Sequence, residues 1–303
     1  MKKLKIVSIV VFILSVLLFG AYTLKEKTGK DQTRPVFAMD TDSVQVSVND
    51  GGEALLEGIT VTDAHDGDIT DSLIVESVGP FDEEGNRVIR YAAIDSDNHI
   101  VHASRKLAYT DYTDPVFHLD RPLTFPVDTT DLLAGVSAQD CIDGDLTDSI
   151  QIIPNEDIDT SQAGVIGARL KVVNSAGGSS ELPVSIEIYD NYVNSRLPRL
   201  SLKEYLVYLE KGESFNASDY LQSAVIDGTE YAFVQKNGTY GKADSDEKAE
   251  SRTIDHSRVV TTGSVDTNTA GCYEIIYSLE DAVSGTGTGS VRMYVVVTEG
   301  GTK

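Results

Sequence analysis

Three stretches of the chain alternate apolar and polar residues with a period of two. Each opens on Gly and closes ten residues later on Asp or Asn: Gly85 to Asp95, Gly164 to Asn174 and Gly271 to Asp281. The apolar parity is Ile89, Tyr91 and Ala93 in the first. It is Ile166, Ala168, Leu170 and Val172 in the second, and Tyr273, Ile275, Tyr277 and Leu279 in the third. Alternation of this kind predicts a strand with one face in a core and one in water. Turn-forming residues follow each run: Asp95 to Asn98, Asn174 to Gly178 and Asp281 to Gly285. A further strand comes next, over Ile100–Leu107, Glu181–Ile188 and Ser290–Val297, so an antiparallel strand pair closes each unit. Each unit opens on a proline before a short apolar run: Pro35-Val36-Phe37, Pro115-Val116-Phe117 and Pro198-Arg199-Leu200. Proline cannot donate to a sheet ladder and suits the start of a first strand.

Between these markers lies a third. Asp66-Gly67-Asp68-Ile69-Thr70-Asp71-Ser72 returns 77 residues later as Asp143-Gly144-Asp145-Leu146-Thr147-Asp148-Ser149. A shortened copy, Asp227-Gly228-Thr229, appears in the third unit. The chain is therefore a repeat array, and its architecture follows from one unit. The repeats are placed at about 35–113, 114–191 and 197–299. Short strands, frequent turns and no strand–helix–strand rhythm predict an all-β fold of tandem β-sandwiches. Repeat three is longer: 43 residues separate Gly228 from Gly271, against 18 and 20 in the other two. The extra material, about 229–256, carries Asn237-Gly238 between apolar flanks and predicts a hairpin insertion.

The N-terminus changes the picture. Lys2, Lys3 and Lys5 precede a run from Ile6 to Leu24 without a charged residue. At about 1.5 Å per residue such a run approaches the roughly 30 Å of a bilayer core. The expectation is a cytoplasmic tip and signal-anchor helix over 1–24, membrane-spanning through 6–24, with a tether at 25–34. The bulk would then lie outside a bacterial cell membrane, anchored by a single pass, or secreted if the segment is cleaved. Residues 1–34 carry a net +5, so the remainder of this −23 chain carries −28. So acidic a surface excludes nucleic acid as a partner, because that binding rests on phosphate neutralisation.

The succession of Pro-Val-Phe, Asp-x-x-Asp-Gly-Asp-Ile-Thr and the Gly-opened alternating strand resembles a bacterial Ig-like domain family. That family is found in pesticidal crystal proteins and in tandem on surface proteins of Gram-positive bacteria. The matching stretches are Asp63 to Thr70 with Gly85 to Asp95, Asp140 to Thr147 with Gly164 to Asn174, and Gly271 to Asp281. The resemblance implies Ig-like sandwiches in an extracellular setting. It implies no particular chemistry, since such folds host many roles.

Candidate sites follow from the same residues. Asp63, Asp66 and Asp68, and Asp140, Asp143 and Asp145, place three carboxylates within six residues in each of two repeats. Carboxylates so spaced suit a weak Ca²⁺ site. They suit better a turn in which Gly takes positive φ and Asp caps nearby backbone N–H groups. Cys141 and Cys272 are the two cysteines and could form a disulfide between repeats two and three. Tyr231, Phe233 and Tyr240 in the insertion are candidate partner contacts. None of the five histidines lies in a metal or nucleophile motif, and no enzyme is expected. The leading expectation is a structural or interaction protein, an adhesion or scaffold stalk, with an unknown surface protein or a glycan as partner. Alternatives are a carbohydrate-binding module for wall or host glycans and an accessory subunit of a membrane-bound complex.

Overall fold

The computed structural model describes residues 11–23, 32–194, 196–234, 253–280 and 287–299 of the 303-residue chain. Compactness divides the chain into two units, Met1–Thr110 and Asp111–Lys303. Repeat one belongs to the first, and repeats two and three to the second.

Unit one holds a helix at 11–23 and the strands of repeat one. The helix carries exposed Val11, Phe12, Leu14 and Leu17. The 13 residues described span about 20 Å at 1.5 Å per residue, against the roughly 30 Å of a hydrocarbon core, and residues 1–10 and 24–31 of the expected anchor and tether lie outside the described residues. Among the described residues no helix is long and apolar enough to cross a membrane. That overturns the single-pass anchor expected through 6–24 and the cell-membrane placement built on it, which rested on lack of charge alone.

In repeat one, β1 (Val36–Met39) starts directly after Pro35 and pairs with β3 (Ile59–Asp63), which pairs with β4 (Gly67–Asp68). The second sheet runs β2 (Ser43–Val46), β7 (Ile100–Tyr109), β6 (Arg87–Ile94), β5 (Ile74–Val78). The chain switches sheets between β1 and β2, and β2 then runs parallel to β7. Two sheets packed on one core make a sandwich. The core is Val46, Ile59, Val61, Leu73, Ile89, Tyr91, Ala93 and Leu107, and on β6 it uses the expected parity.

In unit two the same plan appears twice. Repeat two has a sheet of β8 (Val116–Leu119), β10 (Val136–Asp140) and β11 (Gly144–Asp145). Its second sheet comprises β9 (Thr124–Pro126), β12 (Gln151–Pro154), β13 (Gly164–Val173) and β14 (Ser179–Tyr189). Repeat three has β15 (Arg199–Leu202), β17 (Leu221–Ile226), β18 (Thr229–Val234) and β19 (Thr253–Asp255) in one sheet. Its other sheet has β16 (Leu206–Glu210), β20 (Val259–Thr262), β21 (Gly271–Glu280) and β22 (Thr288–Thr298). The strand pairs expected to close each repeat are the antiparallel ladders β6–β7, β13–β14 and β21–β22.

The expected hairpin insertion departs from this regularity. β18 makes its hairpin with β17, through Asp227 and Gly228 at φ 49° and 74°. Two consecutive positive φ values across a two-residue loop form the turn that matches strand twist. β19 then joins β18 in parallel, Phe233 opposite Ile254. The two ends of the insertion therefore do not form an antiparallel pair, as a simple hairpin over 229–256 would require. The Asn237-Gly238 tip lies outside the described residues.

Candidate functional site

The acidic turns are built by strand parity. On β3 the core-facing residues are Ile59, Val61 and Asp63, so Asp63 is the last inward position and is only 5% exposed. On β10 the same positions are Val136, Ala138 and Asp140. Asp63 pairs with Gly67 and Asp140 with Gly144, each closing a three-residue loop with Gly at φ near 75–78°.

Each carboxylate is engaged by its own chain. Asp63 accepts from the backbone N–H of His65 and Asp66 and from the Thr33 hydroxyl. Asp140 accepts from the N–H of Ile142 and Asp143. Asp66 accepts from the N–H and hydroxyl of Ser96, 30 residues away in sequence. Asp143 does the same with Ser175. Asp68 accepts from Thr70, and the Thr70 hydroxyl accepts from Val61 N–H at 3.0 Å, tying the turn back to β3. Asp145, Thr147 and Ala138 repeat the arrangement. The Thr70 hydroxyl and N–H hold the Asp68 carboxyl below its ordinary range, and Thr147 does so for Asp145. Among the described residues no group of three or more His, Cys, Asp or Glu is placed to hold a metal ion.

The two turns differ in what lies over them. In repeat two, Asn174 accepts from Ala176 and Gly178 N–H and donates to Asp140 and to the Tyr112 hydroxyl. Tyr112 comes from the segment entering repeat two, is buried, and donates to Asp114. A Cβ on Gly178 would lie 1.8 Å from the Tyr112 oxygen. In repeat one, Asp95 stands in place of Asn174 and His99 in place of Gly178. Asp95 accepts from Asp97 and His99 N–H and meets the His99 ring at 2.7 Å. Burial raises the Asp95 pKa, but the bonds from His99 and Asp97 and the His99 charge outweigh it, and the net shift is downward.

Repeat three has lost the turn chemistry. Ile226 is the last inward residue of β17, where the other repeats have Asp63 and Asp140. Of the candidate partner residues, Tyr231 and Phe233 are half-buried and pack on the repeat-three core. Tyr240 lies outside the described residues. Cys141 and Cys272 are free thiols, so the bridge expected between them is not formed. The Cys141 thiol faces the Thr113 carbonyl, whereas Cys272 sits 3.8 Å from the Pro183 carbonyl.

Cys272 belongs to a joint that repeat-by-repeat reasoning missed. Tyr294 of β22 is 2% exposed and packs into the core cluster of repeat two. Its hydroxyl accepts from Ser185 N–H and donates to Ser185 C=O, both at 2.9 Å. The Tyr208 hydroxyl accepts from Phe117 N–H at 3.0 Å. Arg292 pairs with Glu187 of repeat two and, at 3.4 Å, with Glu274 of its own repeat. Burial pushes the Tyr294 pKa upward and the Tyr208 pKa up to about 12. Burial, reinforced by Glu274, pushes the Cys272 thiol up to about 11. A signal was present: Met293 to Val297 is apolar at every position, which marks a strand buried on both faces.

No family model matches the chain. An uncharacterised 81.3 kDa protein of Acholeplasma phage L2 is 27% identical over 113 residues, 36% of this chain, and the chain spans only 15% of that protein's length. A lipoprotein from Bacteroides thetaiotaomicron is similar over 35% of this chain and 40% of its own, with 22% identity and a TM-score of 0.22. The M60 catalytic domain with two CBM51 domains from Clostridium perfringens ZmpB covers 88% of this chain and 31% of its own, with 11% identity and a TM-score of 0.22. The protocadherin GammaB4 extracellular domain covers 88% and 50%, with 17% identity and a TM-score of 0.19. Overlaps this slight carry no weight for function. The sandwich assignment rests on sheet order and register.

Proposed function

We propose that this chain is a structural and interaction protein, a tandem array of Ig-like sandwiches that holds a recognition surface in fixed geometry for a protein or glycan partner. The observation that carries this is the joint between repeats two and three. Two tyrosine hydroxyls bonded to the neighbour's backbone, a fully buried Tyr294 and an interdomain ion pair restrain the two sandwiches as one body. Independent sandwiches on a string need none of this, whereas a spacer or presenter does. The acidic turns serve the same end, because their carboxylates tie loops and entering segments to the sheets. No catalytic role is assigned to any residue.

The test is binding of the purified full chain to cell walls and to a glycan array, for the wild type and a Tyr294→Ala/Arg292→Ala variant with a loosened joint. Saturable binding that weakens at least fivefold on loosening supports the proposal. Binding indifferent to the joint, or turnover of a bound substrate, overturns it.

A further inference from the structure

One surface distinguishes repeat one from its siblings. On the outer face of its β5–β6–β7 sheet, Ile94 pairs with Ile100 and Ile74 with Ala92, and these four form a contiguous group. Ile74, Ile94 and Ile100 are 57%, 40% and 56% exposed, and Ala92 between them is 8% exposed. Positions equivalent by spacing from the opening Gly and by strand register are Val173 with Ser179 and Gln151 with Lys171 in repeat two. In repeat three they are Glu280 with Thr288 and Val260 with Ser278. The fold therefore tolerates polar residues at these positions, and only repeat one fills all four with aliphatic ones.

We propose that this face of repeat one is a self-association surface, and that its occupant is the same face of a second copy of the chain. Charge favours that occupant. The chain is strongly acidic, yet this face sets Arg90 and His102 around Glu76 and pairs Lys106 with Glu84. Two copies can approach here without the repulsion that opposes contact elsewhere. An isologous contact needs a self-complementary face, and a face that carries both signs of charge offers one. Three exposed side chains per copy bury less than the roughly 1,200 Å² of a standard interface, so the dimer is weak and appears at high concentration.

Sedimentation velocity of the full chain, from about 1 to 200 µM, tests this. One variant installs repeat two's residues: Ile74→Gln, Ala92→Lys, Ile94→Val and Ile100→Ser. A second carries Ile100→Glu alone, at a position too exposed to unfold the sheet. A third carries Leu14→Lys and Leu17→Lys on the exposed helix at 11–23. The expected result is a concentration-dependent dimer in the wild type and the third variant, weakened at least tenfold in the first two. A wild type that stays monomeric throughout overturns the proposal. So does association unchanged in the first two variants, or lost only in the third.

Discussion

The turns of repeats one and two have nearly the same sequence and the same internal hydrogen bonds, yet the residues packed beside them differ. Over the repeat-two turn lies Tyr112, from the segment that enters the sandwich, and position 178 must be Gly to admit it. In repeat one the entering segment supplies the Thr33 hydroxyl to Asp63, while the ring of His99, from the sandwich's own hairpin, meets Asp95 where Tyr112 meets Asn174. A turn repeated for its local geometry thus receives an incoming segment in both cases, through a tyrosine bonded to Asn174 in one and a threonine hydroxyl in the other. The carboxylate at the end of β3 or β10 is common to both. What stands beside it differs at two other positions, Asp95 or Asn174 and His99 or Gly178.

The largest effect should come from removing what is common. Asp63→Ala and Asp140→Ala each strand two backbone N–H groups, and each should cost about 3 kcal/mol in denaturant unfolding. Equal losses would confirm that the two turns are one device. A loss confined to one repeat would break the comparison. Next is the difference itself. Gly178→Ala drives a methyl into Tyr112 and should cost about 2 kcal/mol. His99→Ala, which removes a group 30% exposed on its side chain, should cost about 1 kcal/mol. Reversal of that order would mean that Tyr112 swings away freely.

A smaller effect is set by pH. Asp68, Asp145 and Asp95 all have folded-state pKa values below the ordinary one of about 4. Their bonds are complete above pH 4 and are lost as pH falls through the lowered values, so stability should decline on acidification below about pH 4. Asp68→Asn and Asp145→Asn should flatten that decline equally. Asp95→Asn should flatten it in repeat one, and it has no counterpart in repeat two, where Asn174 already stands.

Much of this was legible in the sequence. The alternating runs placed β6, β13 and β21 with the correct inward parity, and the prolines placed the first strand of every repeat. The acidic motif was visible as a turn because its glycines and aspartates are local. Its cover was not, because Tyr112 and Asn174 lie 62 residues apart and meet only through the fold. The joint at Tyr294 was obscured for a related reason. Period-two reasoning treats each repeat as half in water, and the all-apolar run 293–297 says otherwise only if a second sandwich is allowed to cover it. The charge-free run 6–24 misled in the opposite direction, since lack of charge alone does not make a membrane-spanning helix, and none is found among the described residues. Tyr231 and Phe233 follow the ordinary strand parity and pack, half-buried, against the repeat-three core.

The smallest expected effect bears on calcium. The six turn carboxylates face backbone N–H groups and hydroxyls at hydrogen-bond distance, and a cation would have to displace those donors before the oxygens could turn toward it. Ca²⁺ needs six to eight oxygens, whereas each turn supplies three carboxylates already bound to donors in the loop, the strand or the hairpin opposite. Adding about 1 mM Ca²⁺ should therefore move the melting temperature of the full chain by less than about 2 °C relative to EDTA, the shift that roughly 0.5 kcal/mol would produce. The two turns sharpen the reading further. Asp95 adds a buried carboxylate beside the repeat-one turn, whereas Asn174 presents an amide donor to Asp140. Any calcium response should thus be confined to repeat one and be lost in Asp95→Asn. A stabilisation of several degrees that survives Asp95→Asn and disappears in Asp143→Asn would make the turns metal sites and reverse the structural reading of both.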